Sequence, residues 1–167
     1  EIPPNWLEKL PSLLMGRDEA VTRAAVATLR ALPLPKTNHA AVTTALLAVG
    51  RDAARPVDLR LDALAAVPGG LKEVEAPLFD LLRQSLDSAR PTSERNAAAK
   101  ILARARLSET QLQALAGTLQ TVGPMELNTL LDAFENATSE AIGAEFVASL
   151  KEAKALSSVR VDLLRAR

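Results

Sequence analysis

The stretch that decides the fold is DAARPVDLR at residues 52–60, because it returns as DSARPTSER at residues 87–95. Five of the nine positions are identical at an offset of 35 residues, which chance rarely produces. The identical pairs are Asp52/Asp87, Ala54/Ala89, Arg55/Arg90, Pro56/Pro91 and Arg60/Arg95. Self-similarity at such a period is typical of repeat proteins, in which each unit is completed by stacking on its neighbours.

An earlier and shorter copy precedes this stretch. Residues 16–20, GRDEA, resemble residues 50–54, GRDAA, at an offset of 34 residues, but the Arg-Pro dipeptide is absent. Asp18 thereby matches Asp52, and Arg23 lies two positions from the place that corresponds to Arg60. An Asp in the turn and an Arg early in the second helix are typical of HEAT repeats, whereas the tryptophan, glycine and tyrosine pattern of TPR repeats is missing.

Apolar residues recur three or four positions apart around each copy, which predicts pairs of amphipathic helices. Strand-type alternation is not found. The predicted first helices carry Val42, Leu46 and Val49; Leu78, Leu82 and Leu86; Leu112, Leu115, Leu119 and Val122; and Ile142, Phe146 and Leu150. The predicted second helices carry Val21, Ala25, Leu29 and Leu32; Val57, Leu61, Leu64 and Val67; Ala98 and Leu102; and Leu127, Leu131 and Phe134.

Helix starts are marked by two kinds of residue. Pro56, Pro91 and Pro124 are predicted at the first helical position, where the missing N–H has no intrahelical partner to lose. Ser108, with Gln111 three residues later, predicts a capping box.

These patterns predict an all-α fold, an α-solenoid of HEAT/armadillo-like antiparallel helical hairpins with about 35 residues per repeat. We expect one domain over residues 1–167. Its hairpins are predicted at residues 4–33, 38–68, 74–105, 108–137 and 138–166. The sequence opens on Glu1 without an initiator Met, so we expect it to be part of a larger protein.

Composition limits the classes of function. The 20 basic and 20 acidic residues cancel, so no bulk field attracts nucleic acid or an anionic membrane, and a membrane-spanning run is not found. With no cysteine the chain has no disulfide, thiolate zinc site or C-x-x-C-H haem attachment. We expect no cofactor in this chain, no nucleic-acid partner and a monomer whose contacts are with protein or with flanking domains.

The recurring charged residues have two interpretations. In the first, Asp caps helices or pairs across adjacent repeats and Arg packs over the neighbouring helix, a purely structural ladder. In the second, the arginines line a basic groove for an acidic partner. The residues assigned to these structural repeat positions are Asp18, Arg23, Asp52, Pro56, Arg60, Asp87, Pro91 and Arg95.

Two single residues are candidate sites by residue type. His39 is the only histidine, and without a nucleophile or orienting carboxylate at a motif spacing it is interpreted as a surface residue, with haem ligation left open. Trp6 is interpreted as covering the exposed face of the first hairpin. The alternative for Trp6 is an anchor against a preceding domain.

Acidic pairs could act as acid and base, but those at hand lie in charged stretches expected to face water. They are Glu73/Glu75 and Asp58/Asp62. Nucleotide-binding, zinc-protease and serine-hydrolase motifs are not found. The sequence therefore predicts no catalytic, cofactor-binding or metal-binding residue.

Several stretches together resemble one family: VDLRLDALAAVPGG at 57–70, ARLS at 105–108, GPMEL at 123–127 and AFENAT at 133–138. They are similar to the helical segment of large multidomain haem-c-binding proteins of planctomycete-group bacteria, described as membrane-bound dehydrogenases. The resemblance covers residues 18–164 and implies a β-propeller-like dehydrogenase region before this segment and a cytochrome c domain with C-x-x-C-H after it. It implies an exported, periplasmic or cell-envelope parent, with haem c only in a flanking domain.

The leading functional prediction is a non-catalytic scaffold or spacer that mediates protein–protein or interdomain contacts. Two alternatives stay open at this point. One is a nucleic-acid-binding HEAT-like domain with a basic concave surface and aromatic side chains for stacking. The other is a tetrapyrrole-binding module of the bilin-lyase kind.

Overall fold

A computed structural model describes residues 4–31, 39–135, 137 and 139–158, and this part of the chain is all-helical, without a strand. The all-α class is therefore confirmed. The α-helices are α1 Pro4–Leu14, α2 Glu19–Ala31, α3 Ala40–Arg51, α4 Val57–Ala65, α5 Ala76–Gln84, α6 Thr92–Arg104, α7 Glu109–Thr118, α8 Pro124–Leu130 and α9 Glu140–Glu152. Single 3-10 turns follow at Leu131–Phe134 and Leu156–Ser158.

The helices fall within the predicted hairpins. Each of the first four contains two of them, and these are numbered as helix pairs by their order in the chain: α1 and α2 are the first, α3 and α4 the second, α5 and α6 the third, and α7 and α8 the fourth. The segment 138–166 contains α9, and its part beyond residue 158 lies outside the described residues, as does Leu32.

The chain divides into two compact units, Glu1–Gly70 and Leu71–Arg167. In the first unit α1 packs on α2, α3 packs on α4, and the pairs meet through α1 against α3 and α2 against α4. In the second unit α5 packs on α6 and α7, α6 on α8, and α7 on α9. The prediction of one domain over residues 1–167 stays a prediction.

Most residues of the predicted apolar stripes are buried, and leucines such as Leu46, Leu82 and Leu102 have no exposed surface. Val21 is an exception, because 39% of its surface is exposed. The buried face of α2 begins one residue later at Thr22, whose hydroxyl donates to the Asp18 carbonyl at 3.0 Å. The prediction placed Val21 on the wrong side because apolar residues occupy both faces of this alanine-rich helix.

Two predicted helix starts agree with the structure. Pro124 is the first residue of α8, after Gly123 at the N-cap. At Ser108 the capping box is complete: the Ser108 hydroxyl accepts from the Gln111 N–H at 3.3 Å, and the Gln111 side chain accepts from the Ser108 N–H at 3.0 Å. Both bonds satisfy donors that an isolated helix end leaves unpaired.

The prediction for Pro56 and Pro91 is wrong by one residue, since both are N-caps. Their ψ angles of 143° and 141° are extended, and their carbonyls accept from the N–H groups of Arg60 and Arg95 at 3.1 Å. Arg55 N–H closes a turn onto the Asp52 carbonyl at 3.1 Å, so the chain reaches Pro56 before it can begin a helix.

In the second helix pair, Gly50 near the end of α3 allows α4 to approach α3 closely. A Cβ at this position would lie 2.4 Å from Leu64 Cδ2 and 2.6 Å from Leu64 Cγ. Leu64 of α4 is 2% exposed and has little room to move. Close packing of α3 on α4 therefore depends on the absence of a side chain at residue 50.

We predict that Gly50→Ala lowers the free energy of unfolding by roughly 1–2 kcal/mol, because overpacking outweighs the gain in helix propensity. The matched control is Gly143→Ala in α9, where an added Cβ meets nothing within 4 Å. That change should raise stability by up to about 1 kcal/mol. Urea unfolding followed by circular dichroism checks both, and stabilisation by Gly50→Ala would contradict the close contact.

Candidate functional site

Asp52 and Asp87, which are 35 residues apart, build the same turn. The Asp52 carboxylate accepts from the Ala54 N–H at 3.0 Å, and the Asp87 carboxylate accepts from the Ala89 N–H at 2.8 Å. Their main-chain carbonyls accept from the N–H groups of the arginines three residues later, at 3.1 and 2.9 Å. Such side-chain-to-backbone bonds are how Asp stabilises a turn.

Asp18 acts differently from its two sequence counterparts. Its Oδ1 accepts from the N–H groups of Ala20 and Val21 at 2.9 and 3.2 Å, so it caps α2 directly. The absence of the Arg-Pro dipeptide explains this, because Asp18 immediately precedes its helix. The described bonds of all three Asp residues are local, and none of them pairs across helix pairs.

Arg55 joins the first two helix pairs. Its Nη1 donates to Thr22 Oγ1 at 3.1 Å, its Nη2 donates to the Gly16 carbonyl at 2.8 Å, and its Nε donates to Asp52 Oδ2 at 3.2 Å. The side chain is 16% exposed. One guanidinium thus links the turn after α3 to the turn between α1 and α2, using the planar set of donors that Arg offers and Lys does not.

Sequence reasoning did not single out Arg55. The available signal was its identity with Arg90 in the repeated stretch. That signal is ambiguous, because Arg90 is exposed and Arg55 is not.

Two further arginines run from α2 to α4. Arg23 Nη1 donates to Asp58 Oδ2 at 2.6 Å and its Nη2 donates to Glu19 Oε1 at 2.8 Å, while Arg30 pairs with Asp62. The hydrogen bond from Arg23 holds the pKa of Asp58 below its usual value, and the same bond raises the pKa of Arg23. These side chains are about one third to one half exposed, so each pair contributes at most about 1 kcal/mol.

Asp58 and Asp62 were expected to face water, and about half of the Asp58 side chain and one third of the Asp62 side chain are exposed. Each carboxylate also pairs with an arginine of α2. The other acidic pair, Glu73/Glu75, is exposed at the start of α5, where Glu75 is the N-cap.

The guanidinium groups of Arg60 and Arg95 both donate hydrogen bonds to main-chain carbonyls of their own repeat. Arg60 Nε donates to the Gly50 carbonyl at 3.0 Å, and Arg95 Nη1 donates to the Arg90 carbonyl at 2.8 Å. Arg95 also pairs through Nε with Glu126 Oε1 of α8 at 3.0 Å. Glu126 is 2% exposed, and an unpaired carboxylate at that depth would be strongly unfavourable.

Glu126 was missed by sequence reasoning because it stands alone in α8 without a repeated counterpart. Arg23, Arg30, Arg55 and Arg95 are thus bonded across helix pairs within their own unit. Among the described residues, these bonds connect successive helix pairs within each unit.

Of the two single-residue candidates, His39 lies at the start of a helix and Trp6 lies within one. His39 is the N-cap of α3, where its carbonyl accepts from the Thr43 N–H at 2.9 Å and its side chain makes no capping bond. Trp6 of α1 is 48% exposed and lines a groove with residues of α2. About half of its surface is open to solvent, and the interpretation that it covers the first helix pair stays a prediction.

Within the described ranges, no group of three or more His, Asp or Glu side chains could hold a metal ion. In the same residues, no helix has both the length and the apolar character needed to cross a bilayer. No family model, no curated protein and no solved structure matches this chain.

We predict that Arg55→Ala lowers the free energy of unfolding by about 1–3 kcal/mol, because it leaves the Gly16 carbonyl and the Thr22 hydroxyl without their charged donor. Arg90→Ala is the matched control, since Arg90 occupies the equivalent sequence position but is exposed. Its effect should stay within about 0.5 kcal/mol. Chemical denaturation measures both, and equal losses would contradict the special role of Arg55.

Proposed function

We propose that this chain is a non-catalytic scaffold of HEAT-like helical hairpins that mediates protein–protein or interdomain contacts. The observation that carries the proposal is the set of bonds from Arg23, Arg30 and Arg55 between the first two helix pairs. In a scaffold, charged side chains serve to hold successive units in register. An enzyme instead concentrates such groups around a substrate-sized cavity.

The packing of like helices supports a solenoid arrangement in each unit. In the first unit the first helix of one pair packs on the first helix of the next, and the second on the second. Stacked units that bury their apolar faces on one another are typical of α-solenoids. The repeat length of about 35 residues is supported by the identical Asx turns at Asp52 and Asp87.

Paired arginines also bear on the choice between functions. A nucleic-acid surface needs free cations and stacking aromatics. Here Arg23, Arg30 and Arg95 are bound to carboxylates, and Phe134 and Phe146 lie against each other with ring centroids 4.8 Å apart. Among the residues that the structure describes, no specific contact favours a nucleic-acid or tetrapyrrole ligand over the scaffold.

The wider context of the scaffold is part of the proposal. The sequence resemblance supports a spacer between an oxidising domain and a haem c domain of an exported dehydrogenase. We expect the encoding reading frame to continue into a C-x-x-C-H motif downstream. A continuation without that motif would remove the dehydrogenase context and leave the scaffold to stand by itself.

A scaffold must keep its parts at a set distance, and we predict a narrow distance distribution between α2 and α3. Spin labels at Ala27→Cys and Thr44→Cys will be specific, because both positions are exposed and the chain has no cysteine. Electron–electron double resonance should show one narrow peak that Arg55→Ala broadens and Arg90→Ala does not. A broad distribution before any further substitution would contradict the scaffold.

A further inference from the structure

The first helix pair leaves an apolar groove of about 360 Å³ open between α1 and α2. Its principal lining residues are Trp6, Lys9, Leu10, Leu13, Val21 and Ala24. Trp6, Leu13 and Val21 are 48%, 42% and 39% exposed, so three large apolar side chains meet solvent side by side. A contiguous exposed apolar surface indicates a binding site, whereas apolar residues exposed one at a time do not.

An alignment of α2 with α4, the second helices of the first two pairs, shows what the groove corresponds to in the second pair. Asp18 and Pro56 each directly precede their helix, so residue 18 corresponds to residue 56. In this alignment Ala25 and Val26 correspond to Ala63 and Leu64, and all four are buried. The two helices thus bury the same face at these positions.

Under this alignment Val21 corresponds to Leu59, which has no exposed surface. The neighbouring positions on that face of α4 are Asp58 and Asp62, which accept the arginines of α2. The exposed face of α2 is therefore the counterpart of a face that, on α4, is already covered by a helix.

The chemistry of the two faces differs in a way that selects the occupant. Asp58 and Asp62 correspond on α2 to Ala20 and Ala24, which offer no carboxylate to a cation. A helix lying there must present small or apolar side chains where α2 presents Arg23 and Arg30. Lys9 is the charged member of the lining and favours a carboxylate at the rim.

We propose that the groove between α1 and α2 receives the apolar face of an amphipathic α-helix, in the place that α2 takes on α4. The contacting residues of that helix are Ala, Val or Leu at spacings of three and four, with an acidic residue near Lys9. This inference rests on the proposed function, because it extends the stacking of helix pairs to a partner helix.

Trp6 provides the readout, because it is the only tryptophan of the chain and half of it is exposed. The probe is a stapled helical peptide of residues 19–31 carrying Arg23→Ala and Arg30→Ala, and the comparison peptide keeps both arginines. The alanine peptide should bind saturably and shift Trp6 emission to the blue. The arginine peptide should bind several-fold more weakly, since its guanidinium groups would lose water without meeting a carboxylate.

The protein variants locate the binding. Val21→Glu and Ala24→Glu should each weaken the alanine peptide roughly tenfold or more, because they place a charge in the apolar contact. Val147→Glu is the control, since Val147 is also about half exposed but lies in α9. Circular dichroism of the unbound variants verifies that all of them remain folded.

Three results would overturn the proposal: no binding of the alanine peptide, equal weakening by Val21→Glu and Val147→Glu, or self-association of the chain that Val21→Glu abolishes. The last would make a second copy the occupant. Failure here leaves the scaffold intact if the α2–α3 distance stays narrow. A broad α2–α3 distance would count against the scaffold whatever the peptide does.

Discussion

The hydrogen bonds of Arg55 are the interaction on which the arrangement of the first unit depends. A single guanidinium satisfies the Gly16 carbonyl, the Thr22 hydroxyl and the Asp52 carboxylate, and these acceptors belong to two different helix pairs. The hydrophobic effect is not directional, so by itself it does not select one alignment of neighbouring helices. Directional bonds from a largely buried charge define one register, and losing them would leave polar groups unpaired.

The surrounding contacts are consistent with this role. Close approach of α3 to α4 at Gly50 places the end of α3 where its Gly50 carbonyl also accepts from Arg60. On the outer side, the more exposed pairs of Arg23 with Asp58 and Arg30 with Asp62 connect α2 to α4. The exposed pairs contribute less to stability than the bonds of Arg55, since water and salt screen them far more.

The second unit uses the same residue types with a different partner. Arg95 donates to the turn carbonyl of Arg90, and Arg60 donates to the carbonyl of Gly50 near the end of α3. Arg95 also pairs with the buried Glu126. Arg90 stands where Arg55 stands in the earlier copy and is exposed. Identical residues at identical repeat positions therefore take different roles.

Local features could be read from the sequence, while pairing across helices could not. The helices, the Ser108 capping box and the turns at Asp52 and Asp87 depend on residues within a few positions of one another, which a sequence pattern displays directly. The partners of Arg23, Arg55 and Arg95 lie 31 to 39 residues away in the sequence. Many carboxylates and carbonyls lie at such separations, and the bonded one can be identified only when the rotation of each helix about its axis is known. Val21 shows how small an error in the predicted helix rotation is enough, since the exposed Val21 and the buried Thr22 are adjacent in α2.

The most direct test of the central claim is a double-mutant cycle between Arg55→Ala and Thr22→Val, read as free energy of unfolding. Thr22 is fully buried in the first helix pair and accepts from Arg55 of the second, so the cycle isolates a bond between the pairs. We expect a coupling energy of roughly 0.5–1.5 kcal/mol. Additive effects, with a coupling energy indistinguishable from zero, would contradict the account that Arg55 holds the two helix pairs in register.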